Sequence, residues 1–272
     1  MRILFVGDVV GKPGRRMLAG RLPALRRAHR PDYVIVNGEN AAGGVGLTPP
    51  TARELFALGI DVITLGNHSW DKRELIPAID DFPNLLRPLN YPPGTPGRGW
   101  LTTSRPGVPA IGVINAMGRV FANVHLDCPF RGVEDAMADI GGRAPVILVD
   151  FHAEATSEKT AMGWFLDGRV AAVVGTHTHV ATADAQVLPG GTAYQTDVGM
   201  TGPWVSCLGV EREPILQRFQ SQMPVRFDVA DGPCQLNAVL IDADVQTGRA
   251  MAILPIQERE PLGVGEGSEA DA

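Results

Sequence analysis

Histidine is scarce in this chain and unevenly placed. There are six in 272 residues. Four of them, His68, His152, His177 and His179, fall just after short, β-branched apolar runs. Other polar residues fall at the same kind of position. Gly7-Asp8 follows the run Ile3 to Val6, and Asn37-Gly38-Glu39-Asn40 follows Tyr33 to Val36. Gly66-Asn67-His68 follows Val62 to Leu65. Asp150-Phe151-His152 closes the run at 145–150, and Gly175-Thr176-His177-Thr178-His179 closes the run at 170–174. Residues two apart in an extended segment point the same way, so His177 and His179 present two imidazoles on one side. Three of the histidines, His152, His177 and His179, with the carboxylates Asp8 and Glu39 and the carboxamides Asn40 and Asn67, form a mixed nitrogen and oxygen set. Such a set suits iron, manganese or zinc better than a thiolate-selecting metal. Taken singly each residue has a plainer role. Asp8 could cap a helix, Glu39 or Asn40 could serve a turn, and His152 could be a satisfied histidine. Taken together they point to a metal site.

The elements that must position these residues are legible from periodicity. The β-branched runs read as buried strands, and the carboxyl ends of strands are where α/β sheets build ligand sites. Residues 13–29 read as a helix with Leu18, Leu22 and Leu25 on one face and a kink expected at Pro23. Its arginines, Arg15, Arg16, Arg21, Arg26 and Arg27, read as a solvated face. In TPPTARELFALG, Thr51 and Glu54 have the spacing of a capping box, and Gly59 stands where a helix ends. Further strands are expected at 110–115, 192–196, 225–230, 236–242 and 249–255, with little helix among the last ones. The first two-thirds therefore alternates β and α, and the last third is mostly β. This predicts an α/β fold with a central mixed sheet, or two stacked sheets, flanked by helices. Residues 1–260 read as one domain, with 91–99 as a surface loop. Residues 261–272, rich in Gly, Glu, Ser and Ala, read as a disordered tail.

Composition narrows the function. Lys plus Arg number 24 against 30 Asp plus Glu, a net charge of −6. That argues against bulk nucleic-acid binding and leaves room for a small phosphate held by local charge. The three cysteines, Cys128, Cys207 and Cys234, form no C-x-x-C pair, so neither a disulfide framework nor a thiolate zinc site is expected. No run approaches a membrane span, and Asp8 interrupts the first apolar run too early for a signal segment. The expectation is a soluble, cytoplasmic protein with no membrane partner. The late β-rich segment 225–255 offers an edge through which copies could pair as a homo-oligomer. GDVVGK is one residue short of a Walker A loop and has Pro13 at the Ser/Thr position. No G-x-S-x-G motif supports serine hydrolysis.

The strings GDVVGKPGR, NGENAAGG, LGNHSWD, DFHAEATSEK, VVGTHTHV and TDVGMTG span residues 7–202. Their order and strand-end placement resemble the calcineurin-like metallophosphoesterase superfamily. Within it they are most similar to the YmdB-like bacterial cyclic-nucleotide phosphodiesterases. There are departures. Val10 stands where the superfamily has the His of Asp-x-His. Glu39 replaces the usual bridging Asp, and Ser69 follows Asn67-His68 where Glu is usual.

The resemblance implies a four-layer αββα sandwich and two transition-metal ions bridged by Glu39. It implies that Asp8, Asn40 and His179 complete one site, and Asn67, His152 and His177 the other. His68 would be the general acid or phosphate contact. It further implies a small phosphodiester or cyclic-nucleotide substrate, including 2′,3′-cyclic nucleoside monophosphates, attacked by metal-activated hydroxide. A phosphomonoesterase with the same site and a non-catalytic metal-binding scaffold are the alternatives. Lys159 reads as a helix-flanking residue rather than a phosphate contact, and Asp150 and Asp197 as acceptors that orient the ligand histidines. Core packing is the expected role of Trp70, Trp164 and Trp204.

Overall fold

The structure, a computed structural model, describes residues 1–122 and 124–262. In chain order the elements are β1 (Arg2–Val6), α1 (Gly11–His29), β2 (Tyr33–Asn37), α2 (Pro49–Ala57), β3 (Val62–Thr64), β4 (Leu85–Leu86), β5 (Trp100–Arg105) and β6 (Val108–Met117). They continue as α3 (Pro129–Ile140), β7 (Val146–His152), α4 (Thr156–Leu166), β8 (Ala172–Thr176), β9 (Gln186–Val187), β10 (Ala193–Gln195), β11 (Gly202–Pro203), α5 (Arg212–Ser221), β12 (Cys234–Ala243) and β13 (Ala250–Arg259).

These strands form two mixed sheets. One runs β11-β12-β1-β2-β3-β4, with β13 also paired to β12. The other runs β5-β6-β7-β8-β10-β9. The segments β1 to β4 are parallel, as are β6, β7, β8 and β10. Antiparallel strands join them at the flanks. Alternate residues of a strand face opposite sides, and this sorts the core into layers. Ile3, Phe5, Ile35 and Val239 of the first sheet pack with Val113, Leu148 and Val174 of the second. Leu4, Val6, Val34 and Val36 turn the other way, onto Leu18, Leu22 and Leu25 of α1 and Leu55 of α2. Ile114, Val149, Phe151 and Val173 turn outward from the second sheet onto α3 and α4. Both faces of the central strands are thus buried, which is why they read as continuous apolar runs. The four-layer αββα sandwich expected from the resemblance is the architecture.

Local expectations met mixed outcomes. Helix α1 runs through Pro23 and ends on Arg30, whose left-handed backbone returns its N–H to Arg26. Helix α2 is capped by Thr48, whose hydroxyl accepts from the Thr51 backbone, so Thr51 is inside the helix and the Thr51–Glu54 capping box is not formed. The two prolines at its first positions move the start upstream. Gly59 stands past the helix end at φ +81°, as expected. The arginine face of α1 is not simply solvated. Arg15 bonds Glu54 and the Ala41 carbonyl, and Arg21 pairs with Glu258. No strand forms at 225–230. The alternating Val225, Phe227 and Val229 find no neighbouring strand, and one isolated bridge joins Val229 to Val210. Helices α3 and α5 lie where the sequence reading named no element. Helix α5 corrects the helix-poor view of the last third, and it buries none of its residues. The tail expected from 261 lies, from 263 on, outside the described residues. Among the described residues, no helix is long and apolar enough to cross a membrane.

Phe5 is fully buried between the sheets. Phe5→Ala should lower unfolding free energy by about 3–5 kcal/mol, whereas Leu216→Ala on exposed α5 should change it by no more than about 0.5 kcal/mol. Urea denaturation of the two variants checks the layer assignment.

Candidate metal centre

The parallel strands of both sheets end at one edge, and the loops there carry the polar residues singled out from sequence. All eight are joined by direct contacts. Asp8 Oδ2 accepts from the His177 backbone N–H at 3.2 Å, and Asp8 Oδ1 lies 3.9 Å from His179 Nε2. The Asn40 amide sits 3.1 Å from both His179 Nε2 and Glu39 Oε1. Glu39 Oε1 is 3.1 Å from His152 Nε2, and Glu39 Oε2 accepts from the His68 backbone at 3.2 Å. Asn67 Oδ1 lies 2.8 Å and His177 Nδ1 3.1 Å from the same His152 Nε2.

Each of the three clustered histidines is held from behind, which decides which ring nitrogen faces inward. Thr176 donates its hydroxyl to Asp150 at 2.7 Å, so its oxygen accepts from His152 Nδ1 at 2.9 Å. His179 Nδ1 donates to the Leu208 carbonyl at 2.9 Å. His177 Nε2 donates to Glu154 at 2.9 Å. The lone pairs of His152 Nε2, His179 Nε2 and His177 Nδ1 are thereby turned toward the cluster, as metal-ligating imidazoles require. The sequence predicts Asp150 and Asp197 as acceptors that orient the ligand histidines, and neither bonds a histidine ring itself. Instead, Asp150 reaches His152 through Thr176. Asp197 accepts from the Thr178 backbone and hydroxyl, from Gly199 and from Lys159. Lys159 is buried against Asp197 at 2.6 Å, away from the cavity, in keeping with its reading as no phosphate contact. Asp197 holds a loop in which His177 and His179 adopt φ of +102° and +67°. Such backbone costs about 1–3 kcal/mol per residue.

The electrostatics suit a cation. Glu39 and Asp8 are fully buried. Burial alone would raise the Glu39 pKa, but the charge and hydrogen bond of His152 outweigh it and bring it to about 2. Burial likewise opposes a charge on His152, yet Glu39 and then Asp8 raise its pKa to about 9. Burial, then the charge of His152, lowers His177 to about 3. Burial raises Asp8 to about 6, and its Oδ1 has no hydrogen-bond partner. Glu39, His152 and His177 offer donor atoms that all lie within 4.8 Å of one another. The cradle is also shaped for them. A Cβ on Gly66 would collide with both Glu39 and His152. An orphaned carboxylate oxygen, converging donors and a glycine-cleared space are what a metal-binding site presents.

A cavity of about 450 Å³ opens onto Asn67, His68, His152 and His177. Asp8, Glu39, Asn40 and His179 do not line it. Val10, at the position of the superfamily histidine, is buried. His68 bonds Asp71 through Nδ1 at 2.8 Å and remains part-exposed. Trp70 meets Tyr91 edge-on, and Trp204 bonds the Glu260 carbonyl. Trp164 is exposed rather than in the core. Asp71, Glu154, Thr176 and the Leu208 carbonyl were not found by sequence reasoning. The first three lie inside motifs already noted, but a backbone carbonyl leaves no signal.

Two mixed sheets packed face to face between helices, with histidines, asparagines and carboxylates gathered at their strand ends, define the metallophosphoesterase class. Within it, the chain belongs to the family described as YmdB-like protein, whose model matches residues 4–256. It is 53% identical over 253 residues to the 2′,3′-cyclic-nucleotide 2′-phosphodiesterase of Bacillus subtilis (strain 168), covering 93% of this chain and 95% of that one. The crystal structure of a hypothetical protein from Thermus thermophilus matches with a TM-score of 0.89 at 45% identity, covering 96% of this chain and 100% of that chain. That of a phosphatase from Mycoplasma pneumoniae matches with a TM-score of 0.91 at 33% identity, covering 97% and 95% respectively.

Two outcomes follow. Thr176→Val removes the acceptor behind His152 and should weaken metal affinity about 10–100-fold, read by titration calorimetry with Mn²⁺. The second concerns pH. The raised His152 contributes stability that is full below its ordinary 6.5 and lost as pH rises through about 9. The lowered Glu39 contributes stability present above its ordinary 4.5 and lost as pH falls through about 2. A metal held by His152 would have to displace its proton, so apparent affinity should then fall about tenfold per pH unit below 9. Calorimetry in buffers of different ionisation enthalpy should count one proton released at this histidine.

Proposed function

We propose that this chain is a phosphodiesterase that binds two transition-metal ions and hydrolyses 2′,3′-cyclic nucleotides to nucleoside monophosphates. The observation that carries the reading is the convergence of Glu39, His152 and His177 beside the partnerless Asp8 oxygen. Glu39, between the two groups of donors, would serve both ions. Asp8, Asn40 and His179 would hold one. Asn67, His152 and His177 would hold the other. A half-turn of the Asn40 amide exchanges its nitrogen for its oxygen in the same footprint. The mixed nitrogen and oxygen donors favour iron or manganese, with zinc also suited. Bound there, the ions would neutralise phosphodiester charge and lower the pKa of water toward neutrality.

The chain's own residues do the rest. The two asparagines bind without adding negative charge, so the phosphate meets less repulsion. His68 lines the cavity, and Asp71 fixes the proton on its Nδ1. As the imidazolium, the ring carries a second proton on Nε2, which passes to the leaving oxygen and leaves the neutral ring. The Bacillus relative, by its name, acts on the 2′ ester of 2′,3′-cyclic nucleotides. That supports the same bond here and a 3′-monophosphate product. The Mycoplasma relative is called a phosphatase, which supports monoester hydrolysis as the second reading. A complete donor set is evidence against an inert scaffold.

Elemental analysis of purified protein should find about two transition metals per chain. The same sample should convert 2′,3′-cyclic AMP to adenosine monophosphate without releasing adenosine. Glu39→Gln should lose both metal and hydrolysis. His68→Ala should keep metal and lose roughly 10²–10⁴-fold in kcat. Wild-type protein that stays inactive after Mn²⁺ or Fe²⁺ is added would remove the enzyme reading, and release of free adenosine would favour the phosphatase.

A further inference from the structure

The cavity beside the cluster has two unlike walls. One carries the polar side chains Asn67, His68, His152 and His177. The other is formed by the end of β6 and the residues after it, where Met117, Val120, Phe121, Ala122 and Val124 line the same space. These five side chains carry no hydrogen-bond donor apart from backbone. Phe121 is unusual twice over. Its side chain is 81% exposed, and its backbone is left-handed at φ +63°. An exposed phenyl ring gains little from folding, and a bulky residue in that backbone region is disfavoured. Neither feature is explained by packing.

The segment is nevertheless tied down. Gly118 donates its N–H to the His152 carbonyl at 3.0 Å. The Arg119 and Val120 N–H groups donate to the Glu158 carboxylate at 2.9 and 3.2 Å. A Cβ on Gly118 would collide with Glu158 and Ala153, so glycine permits this close approach. The Ala122 N–H closes a turn on the Arg119 carbonyl at 3.2 Å. Glu158 lies in the first turn of α4. The tether starts at the carbonyl of a clustered histidine and ends on a helix, which sets Phe121 at the cavity mouth.

We infer that Phe121 is the stacking platform for the nucleobase of the substrate, and that the 117–122 segment forms a base subsite opposite the metal cluster. This rests on the phosphodiesterase reading of the same site. A cyclic nucleotide has an anionic end and a flat apolar end, and the cavity offers a matching pair of walls. A phenyl ring recognises the face of a base and not its hydrogen-bonding edge. The subsite therefore tolerates all four bases and favours purines through their larger stacking area.

The test compares 2′,3′-cyclic AMP with the 2′,3′-cyclic phosphate of methyl riboside, which has no base. Phe121 is exposed, so its replacement leaves the fold intact. In Phe121→Ala the advantage of the nucleotide over the base-less ester in kcat/KM should shrink roughly tenfold, through KM rather than kcat. Phe121→Trp should preserve that advantage. Its added indole fluorescence should be quenched by 3′-AMP and not by ribose 3-phosphate. An unchanged advantage in Phe121→Ala, or absence of quenching by 3′-AMP, overturns the base subsite. If wild-type protein cleaves neither ester, the phosphodiesterase reading has failed. The quenching, which needs no turnover, then still decides the base contact.

Discussion

A carboxylate taken out of water loses several kcal/mol of solvation unless charge or hydrogen bonds replace it. Asp8 and Glu39 are both in that position, at 0% exposure. Glu39 is compensated by His152 at 3.1 Å and by the His68 backbone. Asp8 is compensated on one oxygen only, by the His177 backbone, and its other oxygen has no partner. The strand-end edge is therefore short of positive charge by design of its sequence. Its acids are deep, its histidines are few, and its amides are neutral. The rest of the edge is arranged around that shortage.

The arrangement is visible in how differently each imidazole is fixed. His152 is backed by a hydroxyl that is itself oriented by Asp150, and Asp150 takes further bonds from Thr64 and Asn37. His179 is backed by a carbonyl of Leu208, from the excursion between β11 and α5. His177 is backed by a part-solvated carboxylate. Three unrelated devices reach the same result, a ring whose outward nitrogen is occupied by a hydrogen bond and whose other nitrogen faces the cluster. The loop bearing His177 and His179 holds two left-handed residues, and the buried Lys159–Asp197 pair holds the loop. The strain is local, and two mixed sheets whose central parallel strands are buried supply the rigid frame that resists it.

Much of this frame was legible because buried parallel strands leave a strong mark. Short runs such as Ile3 to Val6 and Tyr33 to Val36 are apolar on both faces, and the residues after them are abruptly polar. The gathering of Asp8, Glu39, Asn40, Asn67 and the histidines follows from that pattern plus one rule about strand ends. What escaped depends on partners far away in sequence. The alternation at 225–230 is a real strand pattern, but a strand needs a neighbour and none is offered there. The Thr51–Glu54 spacing matched a capping box, yet Thr48 lies before two prolines and took the role. Thr176 stood in full view between Gly175 and His177. Its task is set by Asp150, 26 residues away, and local spacing could not show it.

The same division explains how a charged site and a base-binding wall can coexist in one cavity. The polar wall is built from strand ends, where burial and hydrogen bonds leave the side chains little freedom. The apolar wall is mainly the loop after β6, bound through its backbone to Glu158 and to the His152 carbonyl. Apart from the buried Met117, its side chains carry little structural duty, and Phe121 in particular contributes little buried area. Substitutions there would retune what is held opposite the cluster without disturbing the buried charges. The histidine whose inward nitrogen faces Glu39 also anchors that loop through its carbonyl. Position of the reacting ester and position of the group it carries are thus referred to one residue, His152.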